Sequence, residues 1–188
     1  MNKLICSICG MVIDDKNYFF NKEAFLGQNT SENVMFCPFC GAPAAYLIES
    51  EDKINIPKYN LDDSYLKIVD NAFKLEIFNG DFYKEASKLA KDPKIKNMFR
   101  ALSKIEYMHA SVHKKIGGFI SEPKLKKLDY SKYESDDKLI EMACKREKHA
   151  VRYYEKYTSH MKNNKVKEIF NVLAGVEKIH IQLTRGPI

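Results

Sequence analysis

From Asp62 onward, apolar residues recur at spacings of three and four positions, which is the period of one face of an α-helix. This pattern predicts four helices. The predicted helix starts are Asp62, Asp92, Ser135 and Asn163, and Gly186-Pro187 is the predicted end of the last helix. Residues 119–134 form a long connection between helices 2 and 3. Two hairpins joined by one long crossover predict a four-helix bundle.

Residues 1–45 are organised differently, around two Cys-x-x-Cys-Gly turns. Each turn offers two thiolates to one ion, and its glycine allows the backbone to turn tightly. The predicted ligands are Cys6, Cys9, Cys37 and Cys40. Four thiolates suit one zinc or one iron, and the sequence leaves that choice open.

A segment of this size cannot bury a sufficient core, so a metal would hold it together. We expect an aromatic set to pack around that metal: Tyr18, Phe19, Phe20, Phe25 and Phe36. Residues 46–61 lack a helical period and contain Pro57, which predicts a linker. The predicted chain is therefore mainly α, with a small zinc-ribbon-like β module at 1–45, a linker at 46–61 and the bundle at 62–188.

Composition narrows the classes of protein. Charged residues make up 30% of the 188 residues and the hydrophobic class 45%, as in ordinary globular proteins. No apolar run approaches a membrane span and no signal-peptide core follows Met1, so we expect a cytoplasmic protein without a membrane partner. The net charge is +6, but the lysines are interspersed with acidic residues, which argues against nucleic-acid binding.

The strongest chemical signal is a duplicated Glu-x-x-His pattern. Glu106 and His109, like Glu177 and His180, lie about one helical turn apart on one face. A further glutamate precedes each pair by 30 residues: Glu76 in the first half and Glu147 in the second. The two halves superimpose without a gap, so the sequence predicts one half-site used twice.

All four glutamates fall on the apolar stripe of their helices, where unpaired carboxylates would be very costly. Four carboxylates and two imidazoles suit two adjacent iron or manganese ions. Tyr83 and Tyr154 follow Glu76 and Glu147 by two helical turns and are candidates to hydrogen-bond a ligand and take part in catalysis. As core tyrosines they would show the same pattern. His113 follows His109 by one turn and could reach the mouth of the pocket, although a surface position is the commoner one for a histidine.

With these motifs, the bundle resembles the ferritin-like superfamily, and the whole chain resembles a rubrerythrin in the reverse arrangement, with the rubredoxin-like module first. The resemblance implies Glu76, Glu106, His109, Glu147, Glu177 and His180 as ligands of a di-iron centre, and the four cysteines as ligands of a rubredoxin-type iron. Rubrerythrins usually have a further glutamate three residues after the first one on helix 3. Here that position is Ala150, as in bacterioferritin-like ligand sets.

The resemblance implies a peroxidase-like oxidoreductase that reduces hydrogen peroxide or oxygen, with the four-cysteine iron relaying electrons from an external donor protein. It also implies a homodimer in which the module docks on the partner's bundle. A ferroxidase or other iron-handling protein is the alternative that Ala150 favours. The second alternative is a metal-binding protein in which the zinc ribbon is only structural.

Overall fold

The computed structural model of the chain describes residues 2–49, 54–126, 128–130, 132–133 and 135–185. Within these ranges the chain forms four long helices: α1 (Asp63–Leu89), α2 (Pro93–Gly117), α3 (Asp136–Thr158) and α4 (Asn164–Leu183). The predicted mainly α fold with four helices is confirmed. The predicted stop at Gly186-Pro187 lies outside the described residues.

Each helix begins after a side chain that accepts a hydrogen bond from a free backbone N–H of the first turn. These N-caps are Asp62, Asp92, Ser135 and Asn163, the four predicted starts. Pro93 occupies the first turn of α2, where its missing N–H costs nothing. Gly118 ends α2 with a φ of 66°, a left-handed conformation that favours glycine.

The helices pack as two hairpins, α1 with α2 and α3 with α4, and α1 also contacts α3 while α2 contacts α4. The connection between the hairpins is held by aromatic contacts. Phe119 stacks on Phe73 with ring centroids 5.7 Å apart, and Tyr130 is buried with its ring centroid 5.7 Å from that of Phe82. Among the described residues, no helix combines the length and apolar character needed to cross a bilayer.

The N-terminal module contains an antiparallel sheet of strands β1 (Leu4–Cys6), β2 (Val12–Ile13) and β3 (Leu47–Glu49), with β1 in the centre. Strand β3 falls inside the predicted linker at 46–61, so the module extends at least to Glu49. A strand of three residues is too short for a period-two pattern to reveal it. Residues 50–53 lie outside the described ranges.

The predicted aromatic core of the module holds only in part. Phe25 is buried and stacks on Phe36 with ring centroids 4.0 Å apart. Phe19 and Phe20 are 48% and 45% exposed, so their assignment to the core was wrong. The metal-binding turns, together with the bundle beneath them, supply the burial that these two rings do not.

The module packs directly on the bundle of its own chain. The four cysteines belong to one continuous buried cluster with Val112 and Ile116 of α2 and Phe170 of α4. The chain between module and bundle lies on the same surface, where the Tyr59 N–H donates to the Ile116 carbonyl at 3.0 Å. The sequence led us to expect docking on a partner's bundle, whereas this contact lies within one chain.

Gly41 lies close against Val176 of α4, and its replacement tests the docking of the module on the bundle. It has a φ of 75°, and a Cβ there would lie 2.6 Å from Cγ1 of Val176. We expect Gly41→Ala to lower the free energy of unfolding by more than the ~1–3 kcal/mol that backbone strain alone costs, because the added Cβ would also overlap Val176, as measured by chemical denaturation. The matched control is Gly175→Ala, whose Cβ meets nothing within 4 Å and should raise helix stability by about 0.5–1 kcal/mol. A loss no larger than the cost of backbone strain would contradict close docking.

Candidate metal centres

The four cysteines of the module form a compact buried cluster. Their sulfurs lie within 4.8 Å of one another, with Cys6 and Cys40 3.7 Å apart and Cys9 and Cys37 also 3.7 Å apart. Around a tetrahedral ion with metal–sulfur bonds of about 2.3 Å, neighbouring sulfurs lie about 3.8 Å apart. The sulfurs therefore already have the spacing that a four-thiolate metal site requires.

The two cysteine turns have matching backbone geometry. The N–H of Gly10 donates to the carbonyl of Cys6 at 2.8 Å, and the N–H of Gly41 donates to the carbonyl of Cys37 at 2.9 Å. Both glycines have a left-handed φ, 78° and 75°. This is the tight turn that the Cys-x-x-Cys-Gly spacing predicted.

The thiols of the cluster need a cation to ionise together. Hydrogen bonds from the other three thiols lower the pKa of Cys6, whereas burial raises the pKa of Cys37 and of Cys40. One thiolate is thus favoured, and further ionisation is opposed by burial. A bound zinc or iron ion would remove that opposition.

A second cluster lies inside the bundle, and each of the four helices contributes to it. Glu76 comes from α1, the pair Glu106 and His109 from α2, Glu147 from α3, and the pair Glu177 and His180 from α4. All of these side chains are fully buried. The structure therefore brings together the six residues that the duplicated pattern singled out.

The donor atoms divide into two overlapping groups, each with its atoms within 4.8 Å of one another. The first group is Glu76, Glu106, His109 and Glu177, and the second is Glu106, Glu147, Glu177 and His180. Glu177 places one oxygen 2.9 Å from Nδ1 of His109 and the other 2.9 Å from Nδ1 of His180. Glu106 and Glu177, common to both groups, are positioned as bridging carboxylates between two metal positions.

The chemistry of these buried atoms fits two cations. Burial and the neighbouring carboxylates raise the pKa of Glu76, Glu106 and Glu147. Burial would also raise the pKa of Glu177, but His109 and His180 on either side lower it. Both oxygens of Glu106 and one oxygen each of Glu76 and Glu147 lack a hydrogen-bond partner among the described residues. Buried oxygens in this condition are what a metal ion satisfies.

The two candidate tyrosines contact the cluster in a crossed arrangement. The Tyr83 hydroxyl of α1 donates to Oε1 of Glu147 on α3, and the Tyr154 hydroxyl of α3 donates to Oε1 of Glu76 on α1. Burial, followed by the adjacent carboxylate, raises the pKa of both phenols. Each tyrosine thus orients a glutamate of the other half-repeat.

The surface position, the commoner of the two expected for His113, is wrong. It is fully buried, and its Nε2 lies 2.7 Å from the Tyr154 hydroxyl. Burial, with His109 nearby, lowers the pKa of His113 to about 3, so the imidazole is neutral. Its position on the apolar stripe, one turn beyond His109, was the available signal for burial.

A direct hydrogen bond joins the two clusters. Nε2 of His109 lies 2.9 Å from the backbone carbonyl of Cys40, so the imidazole donates its Nε2–H to that oxygen. This fixes the tautomer and leaves Nδ1 facing Glu177 as a metal donor. One hydrogen bond plus the covalent atoms of Cys40 separate the thiolate cluster from the imidazole.

Ala150 is fully buried within the bundle. The carboxylate and imidazole groups gathered around Glu147 are those of the six-residue cluster, as the structure describes it. The ligand set is therefore symmetric between the two halves of the repeat.

Comparison with known proteins agrees with this geometry. The family model described as Rubrerythrin matches residues 67–134 and 138–185, which is more than half of the chain. Searches of the curated proteins and of the solved structures found no match.

The bridging assignment predicts different metal losses for two variants. Glu147→Ala should leave one metal position in the bundle intact, whereas Glu106→Ala should weaken both positions by at least about tenfold, because it removes a shared carboxylate. Metal analysis of desalted protein measures this. The control is Glu155→Ala on α3, since Glu155 is exposed and pairs with Lys178 at 2.7 Å. Identical metal content in the Glu106 and Glu147 variants would contradict the bridge.

The pKa directions predict how the metal-free protein responds to pH. Burial raises the pKa of Glu76, so its ionisation destabilises the fold as pH rises above the ordinary value of 4.5. Metal-free Glu76→Gln, which cannot ionise, should match the unaltered chain below pH 4.5 and become progressively more stable than it above that pH. Denaturation across pH measures the difference. A gain that shrinks with rising pH would refute the assignment.

Proposed function

This chain belongs to the rubrerythrin family, and from that premise we propose that it is a non-haem di-iron redox enzyme that reduces hydrogen peroxide, or oxygen, to water. The observation on which the proposal rests is the hydrogen bond from His109 to the Cys40 carbonyl, which joins a four-cysteine cluster to a carboxylate–histidine cluster. A structural zinc ribbon alone would not require such a connection.

The residues present fit the metals that this function needs. The six carboxylate and histidine ligands would hold two iron ions, with manganese as an alternative, and the four cysteines would hold one iron or one zinc. When bound, the paired ions supply Lewis acidity and two electrons for cleavage of the oxygen–oxygen bond, and a four-thiolate iron supplies electrons singly. Peroxide takes up two electrons and two protons and leaves as two water molecules, whereas oxygen would need four of each, so its reduction would require a second pair of electrons from the external donor.

The protein side chains orient and shield this centre. Tyr83 and Tyr154 each hold a hydroxyl proton against a glutamate oxygen, which fixes the carboxylate and keeps a proton within the site. Their raised pKa keeps both phenols protonated at neutral pH. The ligands are fully buried, so bulk water is excluded from the carboxylates.

His109 provides the proposed route between the clusters. Its Nδ1 faces Glu177 and its Nε2–H is held by the Cys40 carbonyl, so one imidazole spans the gap. Since the chain holds no source of net electrons, an external electron-donor protein completes the proposal. Homodimer assembly and a cytoplasmic location stay predictions from the resemblance and the sequence.

A ferroxidase or other iron-handling function is the second candidate. Ala150 favours it, since a seventh carboxylate ligand is missing at that position. The two functions differ in the fate of the oxidised centre, because a peroxidase returns to the reduced state with electrons from the thiolate site, whereas an iron-handling protein releases its iron.

One spectroscopic experiment tests the proposed peroxidase. Protein reduced under anaerobic conditions should recover the visible absorption of a ferric four-thiolate site when hydrogen peroxide is added. In Glu147→Ala that recovery should slow by at least about tenfold, because one metal position is lost.

Glu155→Ala should behave like the unaltered chain. A colourless module that contains zinc would exclude the electron relay. Equal recovery rates in the Glu147 variant and the unaltered chain would show that the bundle site does not perform the reduction.

A further inference from the structure

A chain of hydrogen bonds crosses the interior beside the metal ligands. It runs from His113 on α2 to the Tyr154 hydroxyl on α3, 2.7 Å away, and from that hydroxyl to Oε1 of Glu76 on α1. The ring of Phe170 on α4 packs against both His113 and Tyr154, with centroids 5.3 and 5.2 Å away. The chain of bonds therefore ties three helices together and is packed against the fourth.

The direction of these bonds follows from the acceptor at their end. Glu76 as a metal-bound carboxylate can only accept, so the Tyr154 proton points at Glu76. His113 must then donate its Nε2–H to the phenol oxygen. Because it accepts this bond, the Tyr154 hydroxyl becomes a stronger donor, and its O–H group is held in a single orientation toward Glu76.

The other half of the repeat lacks this support. The alignment that places Glu76 on Glu147 and Tyr83 on Tyr154 places His113 on Thr184. The Thr184 hydroxyl donates to the backbone carbonyls of His180 and Ile181, both at 3.1 Å. Its hydrogen bonds are thus used within its own helix, and in the described part of the chain no hydrogen bond joins it to Tyr83.

The histidine ligands show the same inequality. Nε2 of His109 is held by the Cys40 carbonyl, whereas Nε2 of His180 is buried without a hydrogen-bond partner in the described part of the chain. His109 and Glu76 belong to the same metal position. The hydrogen bond to His109 and the one that His113 makes to Tyr154 therefore both act on the same metal position, that of Glu76 and His109.

We infer that His113 is a positioning residue, which acts through Tyr154 on Glu76 and makes the two metal positions inequivalent. The position of Glu76 and His109 holds its metal tightly, and the position of Glu147 and His180 holds its metal weakly and exchanges it. This inference rests on the proposed function, since it requires metal in the bundle. Loss of an outer hydrogen-bond partner of a metal ligand typically weakens binding by about 10–100-fold.

Manganese(II) is the probe, because this hard ion prefers carboxylates and imidazoles and leaves the thiolate site alone. Full-length protein is titrated and free manganese is measured by electron paramagnetic resonance. Each position is isolated first, the tight one in Glu147→Ala and the weak one in Glu76→Ala. Adding His113→Leu should weaken binding by about tenfold in the Glu147→Ala background and leave binding in the Glu76→Ala background unchanged.

A conservative variant separates hydrogen bonding from packing. His113→Gln retains an N–H donor at this reach and should restore most of the affinity that His113→Leu loses. Tyr154→Phe breaks the same chain at its next link and should weaken the tight position, while Tyr83→Phe should weaken only the other. If His113→Leu does not fold, the sizes of these two losses decide the question: Tyr154→Phe should cost more affinity at its position than Tyr83→Phe costs at the other, because only Tyr154 is supported by a histidine, and equal losses would refute the inference.

The possible failures are distinguishable. If the unaltered chain binds two manganese ions with equal affinity, or if His113→Leu weakens both positions alike, the inference is wrong and the proposed di-metal function stands. If the unaltered chain binds no manganese in the bundle and shows no iron there by metal analysis, the proposed function and the inference both fall.

Discussion

Four fully buried glutamate carboxylates share the bundle interior, and the surrounding structure is arranged to offset their charge. A buried unpaired charge costs several kcal/mol even after the protein relaxes, and neighbouring carboxylates add repulsion. Raised pKa values at Glu76, Glu106 and Glu147 express that cost in the metal-free chain. Two imidazoles offset part of it, as the lowered pKa of Glu177 shows. Metal cations offset the remainder, which is why a core of this composition indicates a metal centre.

The same constraint explains where the module sits. A histidine that gives Nδ1 to a metal keeps an Nε2–H, which an acceptor stabilises, and an apolar bundle interior offers few acceptors. For His109 the acceptor is the Cys40 carbonyl, which reaches it because Gly41 lets the backbone approach Val176 closely. The four-cysteine turn therefore supplies part of the outer support of the bundle site. Docking and metal binding are coupled through this contact.

Much of this arrangement could be predicted from the sequence, for physical reasons. Helix starts followed from caps, because Asp, Ser and Asn accept the free N–H groups of a first turn. The six bundle ligands followed from their spacing, because one face of a helix repeats every three to four residues. Ferritin-like membership followed from both, and the family match bears it out.

What the sequence did not reveal depends on contacts between distant segments. The crossed bonding of Tyr83 to Glu147, and of Tyr154 to Glu76, requires knowing that α1 faces α3. A backbone carbonyl such as that of Cys40 leaves no mark on residue identity. His113 was misjudged because a histidine on a helix is usually exposed, although the stripe on which it lies is buried. Strand β3 has too few residues to show a pattern.

Duplication alone would give a symmetric pair of metal positions, and Ala150 preserves that symmetry among the ligands. The inequality comes from outside the ligand set, where His113 supports Tyr154 and the module supports His109. Both act on the position whose histidine contacts the thiolate module, so under the proposed function electrons would enter the pair beside the ligands with the most outer hydrogen bonds. Rigid ligands suit that role, because they change little as the charge of their metal changes. The less supported position, with Glu147 and His180, is left with the freedom to admit and release what reacts there.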